Sequence, residues 1–209
     1  VALYYHGHTY FYNYGVTDRS TQQPVTSDTI FEIGSLTKTF TATLIAEQIL
    51  NHKMNLTDPV VNYLPASVKT QNGAINQVTL GELATHMSGL PRIPRGLTLA
   101  QRASFTETDL MNYVAQWQPD APIGSEFNYS NIGFGLLGYA LAGEAGQPFA
   151  TLLQQKILTP LGMASTSIDY AVDQSRYATG YDANGQQTMY WPKSAWAAGG
   201  AMRSTAHDM

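Results

Sequence analysis

The chain has 209 residues, of which 44% are apolar and 12% are charged, and its formal net charge at pH 7 is −4. This length and apolar content are enough for one well-packed core or two closely joined subdomains. The chain lacks the basic surface that would neutralise nucleic acid or an anionic membrane, so we expect neither as a partner. It contains no cysteine, which excludes a disulfide framework, a thiolate zinc site and a cysteine nucleophile.

The N-terminal residues are predicted to begin a sheet. Val1–Tyr5 and Thr9–Tyr14 are rich in β-branched and aromatic residues and flank His6-Gly7-His8, a turn-forming tripeptide, which predicts a β-hairpin. A strand-like run follows at Thr29–Ile33, and apolar residues then recur on one face from Ser35 to about Asn51. This period predicts an amphipathic helix that begins at the serine.

The middle of the chain, from Asn55 to about Ala171, is predicted to be mostly helical, with turns at prolines and glycines. The clearest predicted helices are Leu80–His86, Glu107–Gln116, Ile132–Ala145 and Phe149–Ile157. The longest apolar stretch, Ile132–Gly143, is too short to span a bilayer and is typical of a buried helix. Val172–Trp191 loses helical periodicity, and a further helix is expected where Thr205 and Asp208 have the spacing of a capping box.

These elements predict an α/β (α+β) fold in which an antiparallel sheet is flanked by helices and joined to a large, mainly helical subdomain. We expect residues 1–54 to hold the first strands and the helix that starts at Ser35. Residues 55–190 are expected to form the helical subdomain, and residues 191–209 to return to the α/β subdomain. The sheet is expected to be incomplete within these residues.

Two residues at the start of the first predicted helix could carry chemistry. Ser35 and Lys38 form a Ser-x-x-Lys pattern, and three residues make slightly less than one helical turn, so the hydroxyl and the amine share a face. A lysine whose ammonium is disfavoured by burial can accept the serine proton and so activate the serine as a nucleophile. The alternative is a helix cap followed by an exposed lysine, because this short pattern often occurs by accident.

A second group lies far along the chain, between a polar turn and an apolar helix. Tyr129-Ser130-Asn131 would stand on a loop, where side chains can face a cleft. A tyrosine close to a lysine ammonium can have a lowered pKa and serve as general base and acid. Asn131 offers a donor and an acceptor, so it can hold Lys38 and bind a substrate amide. Asn131 also suits the N-cap of the following helix, and the two roles do not exclude each other.

Several ordered stretches of the chain resemble the family of class C β-lactamases and DD-peptidases, the penicillin-recognising serine hydrolases. The three main stretches are Phe31–Phe40, Leu83–Pro91 and Tyr129–Asn131, and shorter supporting matches are Gln23–Thr26, Trp117–Pro119 and Pro160–Met163. The resemblance runs in order from the first strand to Met209. It implies a β-lactamase/transpeptidase-like fold.

The resemblance also implies a role for each of four residues. Ser35 would be the acylated serine, and Lys38 its base in the same helix. Tyr129 would be the general base or acid, and Asn131 the contact for a substrate amide. Whether the tyrosine or the lysine takes the serine proton stays open.

The family further implies a substrate and a location. The substrate would be a β-lactam or a D-Ala-D-Ala-type peptide, and the reaction would use no cofactor and no metal. The protein would be periplasmic or secreted, although this chain opens at Val1 without the charged region and cleavage site of a signal peptide.

The sequence departs from the family pattern in two places. Family members carry a third motif, Lys-Thr-Gly or His-Thr-Gly, on a strand that would add a second oxyanion donor beside the Ser35 amide. Lys193-Ser194-Ala195 comes too early and lacks the glycine, so we expect a C-terminal segment beyond Met209 to complete the site. Class C β-lactamases also commonly place a glutamine just after the Leu-Pro of one loop, where this chain has Arg92. Arg92 could meet a substrate carboxylate or be a solvated loop charge.

The second departure leaves room for a D-alanyl-D-alanine carboxypeptidase or a carboxylesterase of the same family. Other classes have weaker support. Gly133–Gly138 matches Gly-x-Gly-x-x-Gly, but no strand precedes it, so we expect Gly135 and Gly138 to allow close helix packing. The histidines lack zinc spacing and are expected at the surface or in structural hydrogen bonds. No serine stands in a Gly-x-Ser-x-Gly elbow. The non-enzymatic alternative is a penicillin-binding homologue that acylates Ser35 without turnover.

Overall fold

The structure, a computed structural model, describes residues 1–71, 73–169, 174–190 and 194–209. Its strands form two small antiparallel pairs within these residues. Strand β1 (Ala2–Tyr5) pairs with β2 (His8–Phe11), and β3 (Phe31–Glu32) pairs with β4 (Arg203–Ser204). The second pair joins the two ends of the chain, because its strands lie more than 170 residues apart.

The first hairpin is present, but its predicted three-residue turn is wrong. His8 pairs with Tyr5 in the ladder, so the turn consists of His6 and Gly7 alone. Both have a positive φ, 49° and 81°, which is the conformation of a type I′ turn. The twist of this turn matches that of the flanking strands, and a two-residue loop therefore suffices.

Seven α-helices are present in the described residues. They are α1 (Thr37–Leu50), α2 (Ala66–Lys69), α3 (Leu80–Ala84), α4 (Leu99–Ala103), α5 (Glu107–Gln116), α6 (Asn131–Ala145) and α7 (Phe149–Leu153). Three of them begin with complete capping boxes, in which Thr79, Thr98 or Thr106 exchanges hydrogen bonds with the residue three positions later. Short 3₁₀ turns add Gly34–Leu36, Val60–Tyr63, Ala74–Gln77 and Ala197–Gly199.

Helix α6 is the centre of the core. It packs against α1, α3, α7 and the turn Ala197–Gly199. Its apolar residues are buried around most of the helix, as expected for a helix with neighbours on several sides. The prediction that its glycines allow close packing is confirmed. A Cβ at Gly135 would lie 2.7 Å from the Ala195 carbonyl oxygen, and one at Gly138 would lie 2.4 Å from the Ala198 Cβ.

Four predicted helices differ from the observed ones. The helix predicted to begin at Ser35 begins at Thr37, after the 3₁₀ turn Gly34–Leu36. Helix α3 ends at Ala84 rather than His86, since His86 has a φ of 61° and cannot continue a right-handed helix. Helix α7 ends at Leu153 and is followed by a π-helical turn over Gln154–Leu158. At Thr205 only one capping-box bond is described, from the Asp208 N–H to the Thr205 hydroxyl at 3.1 Å, and residues 206–208 form a turn.

The predicted loss of helical periodicity over Val172–Trp191 agrees with the described residues of that range, 174–190, which contain no helix. Every residue of β1 and β2 is exposed in the described part of the chain, including Tyr4 and Tyr5. None of the described helices is both long enough and apolar enough to cross a membrane.

An ion pair with a buried arginine supports the strand that leads to Ser35. The guanidinium of Arg203 on β4 is fully buried and lies 3.3 Å from the Glu32 carboxylate on β3. The same guanidinium donates to the carbonyls of Ile168 and Ala201 at 2.9 and 3.1 Å. Because a buried charge is tolerated only with such partners, the pair fixes β3 against β4.

Candidate active site

Ser35 and Lys38 lie at the junction of β3 and α1. Gly34 between them and the strand has a φ of 52°, a conformation that favours glycine, and the chain then enters a 3₁₀ turn and α1. The Lys38 ammonium donates to the Ser35 hydroxyl, with Nζ 3.3 Å from Oγ. Lys38 is only 7% exposed, so the alternative of an exposed lysine is wrong. The predicted shared face is confirmed.

The Lys38 ammonium has two further acceptors. It donates to Asn131 Oδ1 at 2.9 Å and to the Gly199 carbonyl. An ammonium has three donors, and Ser35, Asn131 and Gly199 together can use all three. Burial is the largest influence on the pKa of Lys38 and lowers it, and the charge of Arg92 acts in the same direction. Tyr129 opposes this shift without reversing it.

Tyr129, 94 residues after Ser35 in the sequence, also contacts the Ser35 hydroxyl. Its phenol donates to Ser35 Oγ at 2.5 Å, and the Lys38 Nζ lies 4.7 Å from the centroid of its ring. Burial acts to raise the pKa of Tyr129, but the adjacent Lys38 ammonium, the hydrogen bond with Ser35 and the charge of Arg92 outweigh it, so the pKa is lowered. Ser35 therefore has two neighbouring groups whose pKa values are both shifted toward the form that accepts a proton.

Asn131 is not the N-cap that the sequence allowed. Ser130 caps α6, because its hydroxyl accepts from the Gly133 N–H at 2.9 Å. The same hydroxyl donates to the Pro91 carbonyl at 2.9 Å. Asn131 is the first helical residue, and its side chain holds Lys38, as predicted.

His86 is a residue of the site that the sequence did not identify as such. Its ring lies under the Tyr129 ring, with centroids 4.4 Å apart, and its Nδ1 accepts from the Ser130 N–H at 3.1 Å. The expectation of a structural hydrogen bond holds for His86, but the bond fixes the chain beside the candidate base. Burial, and then the charge of Lys38, lower the pKa of His86. His86 belongs to the stretch Leu83–Pro91, which resembles the class C family, and this position was the one sequence signal that it could lie at the site.

A cleft of about 330 Å³ opens onto these groups. It is lined by Glu32, Gly34, Ser35, Arg92, Asn131, Trp196, Gly199 and Gly200. A larger groove of about 690 Å³ follows the glycine face of α6, but none of the four predicted site residues lines it. We therefore place the candidate site at the smaller cleft, where a hydroxyl adjoins two possible bases.

Three further predictions concern metal binding, the third motif and the division into subdomains. Among the described residues, no group of three or more histidines and carboxylates is arranged to hold a metal ion. Lys193 of the near match to the third motif lies outside the described residues. The division at residues 54 and 190 stays a prediction.

An α/β fold that brings a serine, a buried lysine and a tyrosine together at a cleft has the arrangement expected of an activated serine. The family model of the β-lactamases matches residues 1–209. A β-lactamase of Pseudomonas fluorescens is 35% identical over 211 residues, covering 100% of this chain and 56% of that protein. A β-lactamase of Escherichia coli (strain K12) is 32% identical over 213 residues, covering 100% of this chain and 53% of that protein. The chain belongs to the β-lactamase family.

Solved structures agree with this assignment. A class C β-lactamase from Rhodobacter sphaeroides has a TM-score of 0.85 and 35% identity, covering 100% of this chain and 57% of its own. A β-lactamase/D-alanine carboxypeptidase from Pseudomonas syringae has a TM-score of 0.85 and 33% identity, covering 99% of this chain and 56% of its own. The predicted α/β fold of the class C type is confirmed. The chain spans about half the length of the curated relatives it matches.

Proposed function

We propose that the protein is a serine hydrolase that forms an acyl-enzyme at Ser35 and hydrolyses β-lactams. The observation that carries this proposal is the contact of one hydroxyl with two candidate bases. Ser35 Oγ lies 2.5 Å from the Tyr129 phenol and 3.3 Å from the Lys38 ammonium, at the wall of a cleft. Membership of the β-lactamase family supports the choice of substrate.

Acylation uses the lowered pKa values of the two bases. Ser35 Oγ attacks the lactam carbonyl carbon, and the C–N bond of the lactam breaks. The serine proton passes to Tyr129 or Lys38 and then to the departing nitrogen, so no charge is left on the leaving group. A deprotonated phenol or a neutral amine is required, and both become more populated when their pKa values fall.

Deacylation uses the same groups on a water molecule. The water oxygen attacks the ester carbonyl while Tyr129, aided by Lys38, takes a proton from the water. The ester C–O bond then breaks, and Tyr129 returns the proton to Ser35 Oγ. Asn131 has a different role. Its Oδ1 accepts from Lys38, so its Nδ2 is the group that donates to the carbonyl of a substrate amide at the cleft.

A further segment of the natural protein completes the cleft in this proposal. The exposed residues of β1 and β2, and relatives about twice as long as this chain, support it. That segment supplies the third motif and a second oxyanion donor beside the Ser35 N–H. Loss of one oxyanion donor costs about 10²–10³ in rate. We therefore expect residues 1–209 alone to be slower than the full-length protein by at least this factor.

The second candidate is a D-alanyl-D-alanine carboxypeptidase or carboxylesterase, and a penicillin-binding homologue without turnover is the third. Arg92, in place of the glutamine common in class C enzymes, favours keeping these alternatives. A D-alanine carboxypeptidase from Burkholderia cenocepacia, 34% identical with a TM-score of 0.83, also supports the second candidate. In each case we propose a periplasmic or secreted location, and for the first candidate a role in antibiotic resistance.

The lifetime of the acyl-enzyme separates these candidates. The full-length protein is mixed with a penicillin and followed by time-resolved mass spectrometry, in parallel with assays on a D-Ala-D-Ala peptide and a short ester. We expect an adduct that clears within seconds while the lactam is hydrolysed. An adduct that persists for hours, with cleavage of the peptide or ester, would favour the second candidate. A persistent adduct without any turnover would favour the binding homologue.

A further inference from the structure

The main chain of Arg92 is fixed beside the first residue of α6. The Arg92 carbonyl accepts from the Asn131 N–H at 3.0 Å, and the preceding Pro91 carbonyl accepts from the Ser130 hydroxyl at 2.9 Å. Pro94, two residues later, is buried. These contacts hold the Arg92 backbone against the segment that carries Tyr129 and Asn131. Arg92 therefore does not lie on a freely moving loop.

The Arg92 side chain belongs to the cleft. It lines the cleft together with Ser35 and Asn131, and its residue is exposed to solvent there. The guanidinium carbon lies 5.8 Å from the centroid of the Tyr129 ring. Its charge is close enough to lower the pKa values of Tyr129 and Lys38. An anion that entered the cleft would meet this charge.

The Arg92 guanidinium has no carboxylate partner among the residues that the structure describes, which distinguishes it from its neighbour. Arg95 in the same loop forms an ion pair with Asp120. Lys38, the cation in contact with Ser35, already donates to three acceptors. Glu32 also lines the cleft, but it pairs with the buried Arg203. Among the described residues that line the cleft, Arg92 is therefore the cation with donors available to an incoming ligand.

We propose that Arg92 is a specificity residue that favours acyl donors with a carboxylate on their acyl side chain. A guanidinium binds a carboxylate through two parallel N–H donors, which fixes both position and orientation. Arg92 adjoins Asn131, the residue assigned to the substrate amide, so the carboxylate belongs on the acyl side of the scissile bond. This inference rests on the proposed function of Ser35 and names the substrate class that it prefers.

The test compares three penicillins that share one nucleus and differ at a single position. Benzylpenicillin has a neutral acyl side chain, α-carboxybenzylpenicillin adds a carboxylate to it, and ampicillin adds an amine. The nuclear carboxylate is common to all three, so its contribution cancels in their ratios. The second-order rate constant for acylation of the full-length protein by each penicillin is measured by mass spectrometry. This measurement follows adduct formation and does not require turnover.

We expect Arg92→Gln to lower the ratio of the α-carboxybenzylpenicillin to the benzylpenicillin rate constant by roughly three- to tenfold, as for a partly exposed charged contact. The ratio of the ampicillin to the benzylpenicillin rate constant should rise in Arg92→Gln. Added salt should reduce the preference of the unmodified protein for α-carboxybenzylpenicillin. Any effect of Arg92 on the bases is common to the three substrates and cancels. Arg95→Gln, which removes the same charge from the same loop, should leave the ratios unchanged.

Equal ratios in Arg92→Gln and the unmodified protein would overturn the inference, as would an equal fall in Arg95→Gln. These outcomes would leave the acylation of Ser35 intact. If no penicillin acylated the unmodified protein, the proposed function itself would fail, and the specificity proposal with it.

Discussion

Two glycines in α6 offer a direct test of how this helix is packed. A Cβ added at Gly138 would lie 2.4 Å from the Ala198 Cβ, far inside van der Waals contact. At Gly143 the nearest atom outside the helix's own backbone would be the Tyr63 carbonyl oxygen, at 3.8 Å. The two alanine variants therefore make the same chemical change in one helix and differ in the clash.

The expected stability change follows from two terms. Replacing glycine by alanine inside a helix gains about 0.5–1 kcal/mol in either variant. Overpacking in Gly138→Ala costs about 1–3 kcal/mol, and Gly143→Ala has no such cost. The free energies of unfolding of the two variants should therefore differ by about 1–3 kcal/mol, with Gly143→Ala the more stable. For a chain of this size the melting temperatures should differ by roughly 2–12 °C.

The clash should also reach the active site. Ala198 precedes Gly199, whose carbonyl accepts from Lys38, so a shift of the turn Ala197–Gly199 moves a partner of the candidate base. We expect slower acylation by a fluorescent penicillin in Gly138→Ala and an unchanged rate in Gly143→Ala. Thermal melts that shift both variants equally and in the same direction would refute the described packing of α6.

Two further predictions concern the groups around Tyr129. Tyr129→Phe should slow release of the acyl group from Ser35 by about 10²-fold or more, as is typical for loss of a general base, so the adduct should accumulate in mass spectra. His86 accepts the Ser130 N–H in its neutral form, and burial followed by the charge of Lys38 lowers its pKa. Its stabilising contribution should be complete above the unfolded-state pKa of about 6.5 and should be lost as the pH falls through the lower folded-state pKa. His86→Gln should therefore weaken the loss of stability in acid, measured by denaturant melts at several pH values.

Each of these predictions has a control. An adduct that cleared equally fast in Tyr129→Phe would assign deacylation to another group. The control for pH is His52→Gln, which makes the same substitution at an exposed histidine, and the acid transitions of the two variants are compared. The same transition in His86→Gln and the unmodified protein would contradict the assigned role of His86.

The sequence was sufficient for features that depend on local spacing. Helix α5 lies at its predicted bounds, because Thr106 and Asp109 form a capping box at one end and a proline follows shortly after the other. The Ser35–Lys38 pair shares a face since three residues span nearly one turn. The strongly apolar α6 begins within one residue of its prediction.

Features that depend on distant partners could not be read from the sequence. Ser130 and Asn131 are both suitable N-cap residues for α6. Only the folded position of Lys38, 93 residues earlier, shows that Asn131 accepts from the lysine and that Ser130 is the cap. The Gly199 carbonyl, 161 residues from Lys38, accepts from the lysine ammonium. Because this acceptor is a backbone atom, no side chain in the sequence indicates the contact. His86 has a positive φ and lies outside α3, and its ring packs against that of Tyr129. The sequence, which predicted His86 as the last residue of the helix, did not indicate this contact.

The most direct test of the account is the site of covalent attachment. The full-length protein is incubated with a slowly deacylating β-lactam, and the modified residue is located by intact mass and peptide mapping. We predict one adduct of the ligand's mass on the peptide that contains Ser35, and none in Ser35→Ala. An adduct on another residue, or one that Ser35→Ala retains, would contradict the assignment of Ser35 as the nucleophile.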